Sequence, residues 1–216
     1  MKKVAVLGSG AVGDVLSNGF LTHGYAVTRA TREPAKLEAW KKAAKGEAAI
    51  ATYADAAKWA DIIVLAVKGS VAEEVLDQCG AANLANKTII DTTNPIGNEP
   101  PDHGVIRYFT NANESLMERL QKKVPAAKFV KAFNSVGNVF MVNPKFETTP
   151  TMFYCGNDTA AKAEVADVLT KFGHEPFDCG GVEAARPIES LCILWCIPGF
   201  IRNDWAHSFK MIKPAK

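Results

Sequence analysis

Lys3-Val4-Ala5-Val6-Leu7-Gly8-Ser9-Gly10-Ala11-Val12-Gly13 is the stretch whose reading decides the fold. An apolar run ends directly in glycines spaced G-x-G-x-x-G, and Val12, Val15, Leu16, Phe20 and Leu21 follow at helical spacing. The pattern predicts a strand, a tight turn and a helix. Gly8 permits the turn, Gly10 lets a pyrophosphate approach the backbone, and Gly13 lets helix and strand pack closely, while the amides opening the helix stabilise phosphate charge. A bare glycine motif says little. In this context it predicts a dinucleotide site built from Gly8, Ser9, Gly10, Ala11, Val12 and Gly13.

Outward from that turn, short β-rich runs alternate with alanine-rich amphipathic stretches, the pattern of successive βαβ units. Strands are expected over 3–7, 25–29, 61–67, 88–91 and 128–133, and helices over 11–23, 34–45, 53–60, 71–79 and 114–124, with Thr52, Ser70 and Asn113 as N-caps. Ile62-Ile63-Val64-Leu65-Ala66-Val67 is apolar on both parities, as a parallel strand covered on two faces should be. Further on, a strand is expected over 152–155, a helix over 160–172, a strand over 175–178 and a helix over 187–197. The fold class is therefore α/β, Rossmann-like and doubly wound, with a mainly parallel sheet and a small C-terminal α/β extension. Residues 1–140 form the dinucleotide-binding part, and 141–216 pack on it and complete an acceptor site. The turn-rich stretch 94–104 reads as a long loop at a strand's carboxyl end, the edge where such sheets bind ligands.

The formal net charge is +2, and apart from short pairs such as Lys41-Lys42 and Lys122-Lys123 no basic block stands out, so no nucleic-acid partner is expected. Pro198 and Gly199 interrupt the most apolar run, well short of the roughly 20 residues a bilayer requires. No membrane partner and a cytoplasmic location are expected. The 5 cysteines form no C-x-x-C pair and no cluster with histidine, so they read as reduced thiols and no metal site is expected. Cys192 and Cys196, four apart, read as core.

Cofactor choice is read at the end of the second strand, where NAD enzymes place an acid about 20 residues beyond the glycines. Here the chain offers Thr28-Arg29-Ala30-Thr31-Arg32 and no acid, a pairing of hydroxyl and guanidinium suited to the 2′-phosphate of NADP(H). Arg29 and Arg32 compete for that role, and Arg32 is preferred because it lies in the loop; a solvated surface charge is the plainer alternative. Val67 and Lys68 end the next central strand, and Thr93, Asn94, Pro95 and Asn134 end the two after it, so all are candidates to flank the nicotinamide. Turn formation explains several of them equally well. His23, His103, His174 and His207 are scattered. His103 alone falls in a loop that could overhang the site, and it reads as structural or solvated. Hydride transfer between stacked rings works by positioning, so no catalytic side chain is expected.

The segments Val6-Leu7-Gly8-Ser9-Gly10-Ala11-Val12-Gly13, Ala30-Thr31-Arg32, Asp91-Thr92-Thr93-Asn94-Pro95, Val130-Lys131-Ala132-Phe133-Asn134-Ser135, Tyr154-Cys155-Gly156-Asn157-Asp158 and Ala184-Ala185-Arg186-Pro187-Ile188-Glu189-Ser190-Leu191 span most of the chain. Together they resemble the NADPH-dependent reductases of the deazaflavin coenzyme F-420, and also the soluble oxidoreductase domain of six-transmembrane metalloreductases. The resemblance implies that Thr31 and Arg32 hold the 2′-phosphate, that loops at Val67, Asn94 and Asn134 surround the nicotinamide, and that a flavin or deazaflavin accepts the hydride. One departure is Glu33, where the deazaflavin reductases often carry a second basic residue; it weakens the 2′-phosphate site unless it points away. The 100–103 loop and the 200–205 segment carry no motif assignable to a deazaflavin. Two other readings stand beside this one: reduction of a small carbonyl or imine, disfavoured because no long all-helical C-terminal domain is seen, and a non-catalytic NADP-binding module that senses redox state. The apolar helix over 187–197 suits either the core or a homodimer face.

Overall fold

Alternation along the central strands divides the apolar residues between the two faces of one sheet, and helices cover both. The computed structural model describes residues 1–214, so the last two residues of the expected 141–216 extension lie outside it. Eight strands, β1 (Lys3–Leu7), β2 (Ala26–Ala30), β3 (Ala48–Ala51), β4 (Ile62–Leu65), β5 (Thr88–Asp91), β6 (Lys128–Lys131), β7 (Thr151–Gly156) and β8 (Glu175–Asp178), stand in the order β3-β2-β1-β4-β5-β6-β7-β8. The helices are α1 (Ala11–Thr22), α2 (Glu38–Ala43), α3 (Tyr53–Trp59), α4 (Ala72–Cys79), α5 (Ala81–Leu84), α6 (Leu116–Lys123), α7 (Thr159–Lys171) and α8 (Ala185–Arg202). One core unites Ala5, Leu7, Ile63, Leu65, Ile89 and Phe129 with residues of α3, α4 and α6. The other unites Val4, Val6, Val64, Ile90 and Val130 with Leu16 and Phe20 of α1 and Val165 and Leu169 of α7.

Pairing from β3 to β6 is parallel throughout, with Leu7 opposite Ala30 on one side and Leu65 on the other. The direction of winding reverses between β1 and β4, which opens a crevice above their carboxyl ends. β7 runs antiparallel to β6 and β8 parallel to β7, so the chain after residue 140 extends the same sheet. This is the Rossmann-like, mainly parallel α/β fold expected from the sequence.

Several boundaries differ from expectation for local reasons. β3 was not anticipated: its sequence Ala-Ala-Ile-Ala has weak β propensity, and pairing with β2 is what holds it extended. The expected helix over 34–45 divides into a 3-10 turn at Pro34–Leu37 followed by α2. Thr52 caps α3 through the Asp55 amide, as expected. By contrast α4 starts from a 3-10 turn at Gly69–Val71 with no side-chain cap at Ser70, and α6 is opened by Ser115 in a reciprocal capping box with Glu118 rather than by Asn113. α8 continues through Pro198 to Arg202; the carbonyl that proline leaves unpaired belongs to Leu194, whose side chain is exposed. By length and composition alone Val182–Arg202 is long and apolar enough to cross a membrane, despite Pro198 and Gly199, but here its Ile188, Cys192 and Trp195 are buried in the fold.

Candidate functional site

The glycine turn has the geometry that its spacing predicts. Gly8 has a φ of +144°, and a Cβ there would lie 2.1 Å from the Ala66 carbonyl oxygen; a Cβ at Gly13 would lie 2.6 Å from the Gly8 oxygen. Only glycine fits either position. Gly10 differs, because a Cβ there would meet nothing within 4 Å. The missing side chain relieves no internal clash, and it leaves open space directly over the first turn of α1. Gly10 is the N-cap of α1 and gives no side-chain bond to the helix amides, so they face that space without a partner from the cap.

Arg29 supports the turn from beneath. Its side chain is only 3% exposed, with Nε donating to the Gly8 oxygen at 3.2 Å, Nη2 to the Gly10 oxygen at 3.0 Å and Nη1 to Asp14 Oδ1 at 2.7 Å. Burial pulls its pKa down, an effect that Asp14 opposes. With its side chain almost wholly buried and three of its five N–H donors committed to the turn, Arg29 offers a ligand much less than the exposed Arg32 does. The sequence could not settle this because strand alternation gives a side chain's face but not its depth.

A cleft of about 430 Å³ runs from the glycine turn across the carboxyl ends of β4 and β5. Gly10, Ala11, Val12, Val67, Lys68 and Asn94 all line it, and the wall continues through Ile96, Gly97 and Asn98. Gly8 and Gly13 form the turn beneath, and Ser9 is exposed beside it. Pro95 is buried and does not line the cleft. Asn134 also lies behind the wall: its Nδ2 donates to Asn94 Oδ1 at 3.1 Å and to the Ile188 oxygen at 2.9 Å, and its backbone oxygen accepts from Asn94 Nδ2 at 2.7 Å. Asn134 thus fixes the orientation of Asn94 from the second layer. His103 is 99% exposed beside Asp102 and does not contribute to the cleft.

Thr31 and Arg32 leave β2 side by side but in different environments. Thr31 is buried against the phenol of Tyr53, the first residue of α3. The Arg32 side chain is 68% exposed, with Nη1 3.7 Å from Glu74 Oε1 on α4. Glu33 turns to Lys36, 2.9 Å away, so the acid that faces Arg32 comes from a different element.

One cluster behind the cleft was missed by sequence reasoning. Lys131, wholly buried, lies 2.7 Å from Asp91 Oδ2 and 2.8 Å from Glu189 Oε1, and donates to the Thr93 oxygen at 2.8 Å. Burial pulls its ammonium down, but the two carboxylates more than offset this and hold its pKa above the ordinary lysine value. Glu189 also accepts from the Leu116 and Met117 amides at the start of α6, and Asp91 Oδ1 accepts from the amide and hydroxyl of Thr93. Four separate sequence segments thus meet in one polar network that holds the β5 turn lining the cleft. The available signal was a lysine inside the apolar run Phe129-Val130-Lys131-Ala132-Phe133, because a buried charge requires partners.

The reversal of winding and the uncapped helix above Gly10 define an α/β protein of the dinucleotide-binding kind, with a guanidinium beyond the end of β2. Residues 3–95 match the family model described as NADP oxidoreductase, coenzyme F-420-dependent. A crystal structure from Arthrobacter sp. FB24, provisionally assigned as an F-420-dependent NADP reductase, superposes with a TM-score of 0.92 at 32% identity, covering 99% of this chain and 100% of that one. The chain belongs to the family of coenzyme F-420-dependent NADP oxidoreductases. Among curated relatives, the F-420-dependent NADP reductase of Methanocaldococcus jannaschii is 26% identical over 63% of this chain and 61% of its own length. The metalloreductase STEAP3 of Rattus norvegicus is 26% identical over 88% of this chain. The match spans only 36% of that metalloreductase, so in both cases this chain covers less than two thirds of the curated relative.

Proposed function

We propose that the protein is an NADP(H)-dependent reductase that moves hydride between the nicotinamide and a flat, flavin-like or deazaflavin acceptor. The observation that carries this reading is the open space over Gly10 and the uncapped α1 terminus, continuous with a cleft whose walls include Val12, Val67 and Ile96. When bound, the cofactor supplies the hydride chemistry itself. The chain's residues bind and orient. The α1 amides hold the pyrophosphate, while Arg32 and the neighbouring Thr31 hold the 2′-phosphate. The apolar walls exclude water, and Asn94, fixed by Asn134, presents a rigid edge to the nicotinamide. Stacked rings held at near-attack separation of about 3–3.5 Å need no general acid from the protein.

The C-terminal part completes the acceptor side in this reading. Tyr108, in the loop that continues the cleft wall, donates to the Glu189 oxygen of α8 at 2.7 Å, so α8 sets the position of that loop. The test is to mix the purified protein with NADPH and, separately, FMN, FAD, coenzyme F-420, and a panel of small carbonyls and imines, following the nicotinamide absorbance band. Oxidation of NADPH with a flavin or deazaflavin supports the proposal. Turnover with carbonyls or imines alone overturns the acceptor class, and tight NADPH binding without turnover on any acceptor makes the protein a binding module instead.

A further inference from the structure

Three chain segments converge at the far end of the proposed cofactor site. Thr31 and Arg32 leave β2, Tyr53 opens α3, and Glu74 stands in the first turn of α4. The Tyr53 phenol meets the Thr31 side chain, with Arg32 and Glu74 both close enough to act on it electrostatically. The Glu74 carboxylate is also oriented: Oε1 accepts from Gln78 Nε2 at 2.7 Å, one helical turn on, and the same oxygen faces Arg32 Nη1 at 3.7 Å. An acid in the first turn of a helix is favoured there by the helix dipole, which helps to hold the negative charge in place.

From this juxtaposition we infer that Glu74 sets the cofactor preference, competing with the 2′-phosphate of NADP(H) for Arg32 and thereby narrowing the discrimination between NADP(H) and NAD(H). The inference rests on the NADP reading above and adds an element to it. NAD enzymes of this sheet class place a discriminating acid at the end of the second strand. Here that strand end carries the basic residue, and the acid arrives from the opposite side of the crevice, on α4. Glu33, the acid adjacent to Arg32 in sequence, pairs with Lys36 at 2.9 Å, so its pull on Arg32 is partly neutralised, whereas Glu74 has, among the described residues, no cation other than Arg32 in its ion pairs.

The charges dictate a sign. A 2′-phosphate brings close to two negative charges at neutral pH, and it must take the guanidinium from a carboxylate already beside it. A 2′-hydroxyl brings none, and it can donate to that carboxylate. Glu74 therefore opposes the phosphorylated cofactor and tolerates the unphosphorylated one. Both partners are more than half exposed, at 68% and 54%, so solvent screens the effect and its size is that of a surface ion pair.

The experiment is calorimetric titration of NADPH and NADH into the wild-type protein and the Glu74→Gln, Glu74→Lys and Arg32→Ala variants, together with the Arg32→Ala/Glu74→Gln double variant. Glu74 is solvent-facing, so the fold should tolerate these changes, and matched melting temperatures check this. Glu74→Gln is expected to tighten NADPH about two- to fivefold, the range a surface ion pair allows, without tightening NADH. Glu74→Lys should extend the gain, and in the absence of Arg32 the Glu74→Gln gain should shrink markedly. An equal change for both nucleotides, in either direction, would make Glu74 a contact to the part they share and overturn the inference. So would an unchanged NADPH affinity in both single Glu74 variants. If wild-type protein binds neither nucleotide, the cofactor reading fails first and this inference fails with it.

Discussion

At residue scale, two arginines three positions apart have opposite fates, and their variants should separate cleanly. If Arg32 holds the 2′-phosphate as proposed, Arg32→Ala removes charge-assisted bonds each worth about 1.5–3 kcal/mol. NADPH affinity should fall at least tenfold while NADH changes little, read by calorimetry; equal losses for both would remove Arg32 from that role. Arg29→Ala is expected to act through the fold, since it takes the side-chain donor from the Gly8 and Gly10 carbonyls and leaves Asp14 without its cationic partner. Its signature is a lower melting temperature together with weakened binding of both nucleotides alike. Gly8→Ala combines a positive φ with a backbone clash against Ala66, and should cost about 2–4 kcal/mol of stability by denaturant titration. The glycine turn was legible in the sequence because its constraints are local: three spacings and the strand before them. The distinction between Arg29 and Arg32 was not, and neither was Glu74, because each depends on what another part of the chain places beside it.

At the scale of elements, α6 and α8 are joined by charge. Arg186 Nε donates to Glu118 Oε2 at 2.9 Å, and Glu118 also closes the capping box with Ser115. The Arg186 bond, followed by those from Ser115, draws the Glu118 carboxyl down to about 2. Because the folded pKa lies below the ordinary carboxylate value, this contribution is fully present above about pH 4.5 and is lost as the pH falls towards 2. Glu118→Gln should therefore lower the melting temperature at neutral pH, with the gap to wild type closing across that acid window. Glu189→Ala should cost more, about 3–5 kcal/mol, because Lys131 would lose one of its two carboxylates while remaining fully buried. The central strands were legible from their unbroken apolar runs. β3 was not, since its four residues are held by β2 and not by their own preferences. The Lys131 network was invisible for a related reason: Asp91, Lys131 and Glu189 are far apart in sequence and meet only once the sheet and α8 are assembled.

At the scale of the whole molecule, burial grades both stability and reactivity. Cys79 and Cys155 are buried, and loss of solvation pushes each thiol up to about 12. Alkylation of the native protein at pH 8 should leave both untouched, and their modification by mass spectrometry should appear only when the protein is unfolded. The C-terminal segment after α8 crosses back over the body, where the Thr151 amide donates to the Phe209 oxygen and Trp195 Nε1 to the His207 oxygen. Its path was not readable in advance, because no periodicity marks a segment held by such long-range bonds and by the packing of Trp205 and His207 against Trp195.

The buried lysine bears on how this chain could be re-engineered. Lys131 precedes residue 140, yet one of its counter-charges, Glu189, lies well after it on α8, and the Glu189 carboxylate also accepts from the first amides of α6. Residues 1–140 expressed alone would retain a complete glycine turn but leave an interior ammonium half-neutralised and the Leu116 and Met117 amides of α6 without their acceptor. A chimera that exchanged residues 141–214 would have to bring its own carboxylate to the position of Glu189.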